Sequence, residues 1–342
     1  MQIYVISPGA GIAGLQRQSR PQEPLGSKDV RVGMRAVALN YRDLLVARAE
    51  YMTPGGEPLI PCSDGAGEVL AVGTEVARFR VGDRVAGSFY PLWIDGEPTS
   101  DKVARGLGGG RDGVLAEEVV LHEDAWFHIP AHFNFAEAAT IPCAGVTAWN
   151  ALFVAGGLQR GASVLILGTG GVSTWALQLA KAAGLNAIVT SSEDRKLERA
   201  RALGADATIN YRTKREWHEE VLQLTQGRGV DLVLEVGGRD TLKRSIAAAR
   251  FGGAIAMIGG VGGGFGGELE PFALIARAQR LLGILVGSRA MAEDLSRFAA
   301  TIRFHPAVDR VFDFAQAREA YAYLETAQHF GKVVIEIERS PT

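Results

Sequence analysis

The sequence predicts an α/β protein built in two parts: a β-rich region, then a doubly wound parallel sheet of six strands. Three observations predict it. Short β-branched runs bounded by Gly, Pro or Asp fill the first 130 residues. From Ser163 to Val286, strand-length apolar runs alternate with helical stretches. The first of those strands runs into a glycine-rich turn that opens a helix. A chain of 342 residues suits about two domains, and 47% hydrophobic with 22% charged residues is enough apolar material for a sizeable core.

In the first part, strands are expected at 30–39, 67–72, 83–86 and 115–121, without the helices of a βαβ series. In the second part, strand 163–167 leads into helix 172–183. Strand 187–191 and helix 194–203 follow, then strands 207–211, 230–236, 254–258 and 282–286, with helices 215–225 and 242–249 among them. These strands are apolar almost throughout, as when both faces of a sheet are covered, and the alternation implies right-handed parallel crossovers. A helix at 292–301 and a last strand at 332–337 form a tail that returns to the first part. The expected division is 1–130, 131–289 and 290–342.

Composition excludes several function classes. A formal charge of −2 leaves no basic field for nucleic acid or an anionic membrane. No apolar run reaches the ~18–20 residues of a membrane span. The first fifteen residues lack a basic n-region and are broken by Pro8, Gly9, Gly11 and Gly14, so no secretory signal is expected and the cytoplasm is the expected location. Two cysteines, Cys62 and Cys143, rule out a disulfide scaffold and any zinc site of several cysteines. Gly is abundant, 43 of 342, and clustered: five fall within 106–113 and nine within 252–267. Such clusters mark loops or close backbone approaches.

The turn after strand 163–167 reads Gly168-Thr169-Gly170-Gly171-Val172-Ser173. The first glycine allows a tight turn, the second lets backbone approach a pyrophosphate, and the small Ser173 suits helix–strand packing. The N–H groups at the helix start then face an anion. Six strands with this turn fit a dinucleotide-binding domain. The second strand ends Ser191-Ser192 with no carboxylate at its tip; Glu193 and Asp194 come next, then Arg195 and Lys196. Hydroxyls beside two cations suit a 2′-phosphate, hence NADP(H), although both cations equally suit a solvated helix surface. Further contacts are expected at the strand ends, at Gly237, at Gly259 and Gly260, and at Gly287 and Ser288.

These segments carry a resemblance. "ALNYRDLL" (38–45), "PLIPCSDGAGEVLAVG" (58–73), "GDRVAG" (82–87), "EAATIPCAGVTAWNAL" (137–152), "GTGGVSTWALQLAKAAG" (168–184), "ALGADATINYR" (202–212), "GVDLVLEVGG" (229–238) and "HFGKVVIEI" (329–337) run in the order of the medium-chain dehydrogenase/reductases. The chain most resembles their zinc-independent quinone oxidoreductase-like branch. The resemblance implies a GroES-like β-rich domain plus a Rossmann domain, with the active site in the cleft between them. It also implies a homodimer, formed edge to edge through 281–286. It brings Thr147 near the nicotinamide, Lys196 and Tyr211 to the 2′-phosphate, and Lys332 towards the cofactor; Tyr211 and Lys332 equally suit packing and a solvated strand.

Zinc-dependent members of the superfamily carry a Cys at the place of Asn40, a His and Glu at Ser63 and Asp64, and a third ligand at Cys143. Only one thiol survives here. Region 89–114, where those members hold a four-cysteine structural zinc, contains no Cys. No metal is therefore expected. Without a Lewis acid the substrate carbonyl must be polarised by hydrogen bonds. Asn40, Tyr51 and Asp43 are the candidate catalytic residues: the resemblance implies that Asn40 lines the pocket near the nicotinamide and that Tyr51 stands near a pocket tyrosine of related reductases, with a turn or helix cap as the other role open to Asn40 and Asp43. The expected reaction is hydride transfer from NADPH to a quinone, enone or related carbonyl compound. The alternatives are an alcohol dehydrogenase acting on a C–OH/C=O pair and an NADPH-binding protein without turnover. Segment 91–113, longer than in compact quinone reductases, carries Trp93 as a lid or a packing anchor.

Overall fold

The computed structural model describes residues 1–51, 56–264 and 271–338. Gly266 and Gly267 of the second glycine cluster lie outside them. The chain divides into two compact units, Met1–Val146 with Gly287–Thr342, and Thr147–Val286.

The first unit begins with an antiparallel pair that the sequence patterning did not indicate, β1 (Gln2–Val5) and β2 (Gln16–Ser19). β3 (Asp29–Ala38), β4 (Asp64–Val72), β5 (Arg84–Gly87), β6 (Glu118–His122) and β7 (Trp126–His128) follow. The expected strand at 115–121 starts only at Glu118, because Val114 and Leu115 instead bond Pro61 and Cys62. Between β3 and β4 lies a short helix, Tyr41–Ala47.

The second unit is a single parallel sheet. Its strands are β8 (Ser163–Ile166), β9 (Asn186–Ser191), β10 (Ala207–Asn210), β11 (Val230–Glu235), β12 (Ala249–Met257) and β13 (Arg280–Gly283). Their order is β10-β9-β8-β11-β12-β13, the doubly wound arrangement, with direction reversing at β8. Helices Gly171–Ala182, Asp194–Ala202, Trp217–Leu224 and Leu242–Ala248 connect them. β11 is buried almost throughout, which explains its unbroken apolar run. β12 begins earlier than its apolar core, with a register irregularity against β11 between Val230 and Leu232. β13 ends earlier than expected, and Val286 takes a positive φ of 46°.

The tail rejoins the first unit through helix Arg289–Ile302, β14 (Val308–Asp313), helix Ala317–Glu325 and β15 (Lys332–Glu336). The resulting sheet runs β14-β15-β3-β4-β5-β7, with β6 also on β3. β15 pairs antiparallel with β3, Val334 opposite Ala38, so the last strand of the chain is stitched to the residues that lead into helix Tyr41–Ala47. One core built from β1, β3, β6, β15 and helix Ala317–Glu325 holds this unit, and a separate core around Leu165, Val233 and Ile255 holds the other.

The two ends of segment 91–113 are packed down, while 95–101 is exposed. Trp93 is 2% exposed, and its indole N–H donates to the Gly96 carbonyl at 2.9 Å. The glycines after it let the loop lie against its neighbours. A Cβ on Gly113 would sit 2.0 Å from the Cys62 carbonyl oxygen, and one on Gly109 would sit 2.3 Å from Arg42 Nη2.

Candidate active site

In the second unit, the strand β8 ends and Gly168 turns with φ 73°, its N–H donating to Thr190 Oγ1 at 3.3 Å. Helix Gly171–Ala182 starts at once, with Gly170 as its N-cap and no side chain capping it. The N–H groups of its first turn, at Gly171, Val172 and Ser173, have no carbonyl four residues back to bond. A Cβ on Gly170 would meet nothing within 4 Å, so space lies open beside the turn. Ser173 Oγ donates to the Leu167 carbonyl at 2.7 Å and ties the helix start to the strand. An open, uncapped, glycine-lined helix start fits a pyrophosphate; Thr169 completes the turn and is buried.

At the tip of β9, Ser191 is buried, and its hydroxyl accepts the Glu193 N–H at 3.5 Å. Ser192 is half-buried. Tyr211, partly exposed, bonds through its N–H to the Ser191 carbonyl at 3.0 Å, which brings it beside the same tip. Lys196 is buried, and its ammonium pairs with Glu193 at 3.3 Å. Arg195 is largely exposed and lies 3.8 Å from the same carboxylate. The tip therefore carries two cations and two carboxylates, Glu193 against both cations and Asp194 accepting from Asn210 Nδ2 at 2.7 Å. Sequence reasoning did not weigh Glu193 as their partner.

The ends of β11 and β12 meet: a Cβ on Gly238 would lie 2.7 Å from Gly260 Cα. Gly262 and Val261 donate back to Gly237 and Val236, which fixes Gly259 and Gly260 beside the Gly237 turn. Glu235, missed by sequence reasoning, organises this turn. It is fully buried, and its Oε1 accepts from Gly237 N at 2.7 Å, Gly238 N at 3.0 Å and Thr241 Oγ1 at 2.7 Å; Ser245 Oγ bonds Oε2. An acidic residue closing an apolar strand was the available signal. Thr147 is buried in the short helix Val146–Trp149.

In the first unit, a polar cluster forms where β3 ends and β4 and β15 begin. Lys332 is 3% exposed and donates to the Leu39 carbonyl and to Asn40 Oδ1, both at 2.6 Å. Its ammonium also lies 3.9 Å from Asp64 Oδ2. Asp64 is fully buried and accepts from Ser63 Oγ at 2.6 Å and from the Cys143 N–H at 3.0 Å. Burial raises the Asp64 carboxyl above its ordinary value, and the Lys332 charge pulls it back. The Asn40 amide also favours the Asp64 carboxylate, yet its Nδ2 is buried without completing a hydrogen bond.

Asn40 starts helix Tyr41–Ala47, and its own N–H donates to Asp43 Oδ2 at 2.7 Å. Asp43 is 1% exposed, and burial raises its carboxyl to about 6 against the opposing pull of Arg42. Arg42 lies between the Tyr51 and Phe89 rings, 4.6 Å from each centroid, and donates to the Leu107 carbonyl at 2.7 Å. The structure thus joins Asn40, Asp43 and Lys332 in one network, with Tyr51 attached through Arg42. Gly287 and Ser288 belong to this unit. A Cβ on Gly287 would sit 2.6 Å from Val146, and Ser288 caps helix Arg289–Ile302 through Met291 N at 3.3 Å.

The residues present do not suit zinc. Asn40 Oδ1 is turned onto an ammonium, and the Asp64 oxygens already bond Ser63 and Cys143. Cys143 is the one thiol left at these positions. Lys332 adds a positive charge beside the same carboxylate, which opposes a second cation there.

Residues 26–131 match the alcohol dehydrogenase GroES-like domain and residues 171–301 match the zinc-binding dehydrogenase domain. A zinc-type alcohol dehydrogenase-like protein of Schizosaccharomyces pombe is 44% identical over 94% of this chain and 96% of its own. A Pseudomonas aeruginosa quinone oxidoreductase is 31% identical over 93% and 94%. A crystal structure of an NAD-dependent alcohol dehydrogenase superposes with a TM-score of 0.89 at 33% identity, covering 99% of this chain and all of the other.

Proposed function

Because the chain belongs to the medium-chain dehydrogenase/reductase superfamily, we propose that it is an NADP(H)-dependent oxidoreductase that works without zinc and reduces a quinone, an enone or a related carbonyl compound. The observation that carries this reading is the buried Lys332–Asn40–Asp64 network, in which an ammonium is bonded among the residues that stand for zinc ligands in the metal-dependent relatives.

The Rossmann unit would hold the cofactor. Gly168, Thr169, Gly170, Gly171 and Val172 bind the pyrophosphate through backbone N–H groups. Ser191, Ser192, Arg195, Lys196 and Tyr211 bind the 2′-phosphate. Arg195 and Lys196 supply the two cations for that phosphate, in competition with the Glu193 carboxylate. Gly237, Gly259 and Gly260 allow close backbone approach, and Thr147, Gly287 and Ser288 complete the cofactor contacts. When bound, NADPH supplies the hydride.

Asn40 Nδ2 donates to the substrate oxygen as negative charge develops there, replacing a Lewis acid by a hydrogen bond. Tyr51, held against the Arg42 guanidinium, offers a second donor. Asp43 fixes the start of the helix that carries Asn40. A homodimer is part of this reading. β13 is the edge strand of its sheet, and Leu281 is part-exposed on it, so a second copy can pair there. The cytoplasm suits the two free thiols.

A second reading, an NAD(H)-dependent alcohol dehydrogenase, is favoured by Glu193, an acid near the place where NAD sites bond the ribose hydroxyls. Steady-state rates with 1,4-naphthoquinone, 2-cyclohexenone and a set of aldehydes, each with NADPH and NADH, separate the two. The proposal expects NADPH preference and activity that survives chelators. NADH preference with one zinc per chain and chelator-sensitive turnover would overturn it.

A further inference from the structure

We infer that Lys332 is a positioning residue: it fixes which way round the Asn40 carboxamide stands, so that Asn40 presents a donor and not an acceptor to the substrate oxygen. The inference rests on the proposed role of Asn40 for its consequence in turnover, but its structural content stands apart from that role.

A carboxamide has an accepting oxygen at one end and a donating nitrogen at the other, of nearly equal size, so two orientations compete. An ammonium can only donate. Lys332 Nζ lies 2.6 Å from Asn40 Oδ1, and the reverse orientation would set two donors against each other. The ammonium is itself held. Its second bond goes to the Leu39 carbonyl at 2.6 Å, and Asp64 lies 3.9 Å away. The backbone register keeps it there, because Leu39 N bonds the Val333 carbonyl at 2.9 Å, one residue beyond Lys332. With Oδ1 engaged, Nδ2 is the opposite end of the amide; it favours the Asp64 carboxylate without completing a hydrogen bond. A buried donor whose hydrogen bond is incomplete costs free energy, which a charged substrate oxygen reaching it would relieve.

Asp64 has a related part. It supplies the negative charge that lets a buried ammonium exist, and it is fixed by Ser63 and by the Cys143 N–H. The ammonium thus stands as the resident cation of the cluster, and it acts through Asn40 and not by touching substrate.

The test uses the full chain with Lys332→Met, Lys332→Arg, Asn40→Ala and the double variant Asn40→Ala/Lys332→Met. The first readout is independent of turnover: the side-chain amide region of the 1H–15N spectrum, with the Asn40 pair identified by its loss in Asn40→Ala. In Lys332→Met the Asn40 amide signals should shift and broaden. In Lys332→Arg they should stay near their original positions, since a guanidinium also only donates. An Asn40 amide indifferent to Lys332→Met overturns the inference.

The second readout is kcat and the KM for NADPH with 1,4-naphthoquinone. Lys332→Met should lower kcat by about tenfold to a hundredfold and leave the KM for NADPH within about twofold. It should add nothing once Asn40 is Ala, because both changes remove one device. A raised KM for NADPH, or a kcat loss that persists in the Asn40→Ala background, overturns the inference. If Asn40→Ala keeps full kcat while the amide signals still respond to Lys332, the oxyanion role of Asn40 fails and the orientation inference stands. Should Lys332→Met not fold, Lys332→Gln carries the same two readouts, because its carboxamide accepts as well as donates.

Discussion

Glu235 Oε1 accepts the Gly237 N–H at 2.7 Å and so closes the turn at the end of β11 from inside the protein. The same carboxylate also holds Gly238, Thr241 and Ser245. Four donors on one buried acid fix that turn at the end of a central strand of the second unit.

Replacing Glu235 by Gln keeps one acceptor but turns an amide nitrogen onto a donor. The cost should be about 1–3 kcal/mol, the penalty for a buried polar group left unmatched. A urea unfolding series reads it. A midpoint equal to that of the parent protein would show that the turn does not depend on the charge.

Gly113→Ala isolates the close packing of the 91–113 segment. The new methyl would overlap the Cys62 carbonyl oxygen at 2.0 Å, and no unusual φ complicates the comparison. Overpacking of this kind should destabilise by about 1–3 kcal/mol or more. Gly82→Ala serves as the contrast, because its Cβ would meet nothing within 4 Å and only its φ of 91° opposes the change. Equal thermal midpoints for Gly113→Ala and the parent would refute the packing account.

Asp43 gives a pH signature with a definite sign. Its folded value, raised by burial to about 6, exceeds the ordinary aspartate value of 3.8, so between the two the folded state holds the proton more tightly than the unfolded state. Its contribution is fully present below about pH 4 and is lost as pH rises through about 6, a change of roughly 3 kcal/mol. Asp43→Asn keeps an acceptor for the Asn40 N–H and removes the titration. The parent should therefore gain stability relative to Asp43→Asn as pH falls from 7 to 5. A difference that stays flat over that range would contradict the burial account.

The tip of β9 bears on cofactor choice. Removing the Arg195 guanidinium leaves Glu193 facing Lys196 alone, so Arg195→Ala should raise the KM for NADPH about tenfold, with little change for NADH. Equal effects on both cofactors would assign Arg195 to the solvated helix surface.

The sequence by itself determined the doubly wound sheet, the phosphate-type turn at Gly168–Gly171 and the β-rich first part. These are local: strand periodicity, apolar runs and glycine positions are read within a dozen residues. It also singled out Asn40, Asp43 and Lys332 one by one, as separate expectations. Only the tertiary structure decided what they do to each other. Lys332 reaches Asn40 across 292 residues of chain, through the pairing of β15 with β3, and no local pattern encodes that meeting. The glycines at 106–113 show the same limit. Their abundance was visible at once, but their reason is the Cys62 backbone and the Arg42 guanidinium lying against them. Burial and hydrogen-bond partners depend on which distant segments pack together, so the chemistry of a group such as Glu235 or Asp43 is fixed only when the fold closes around it.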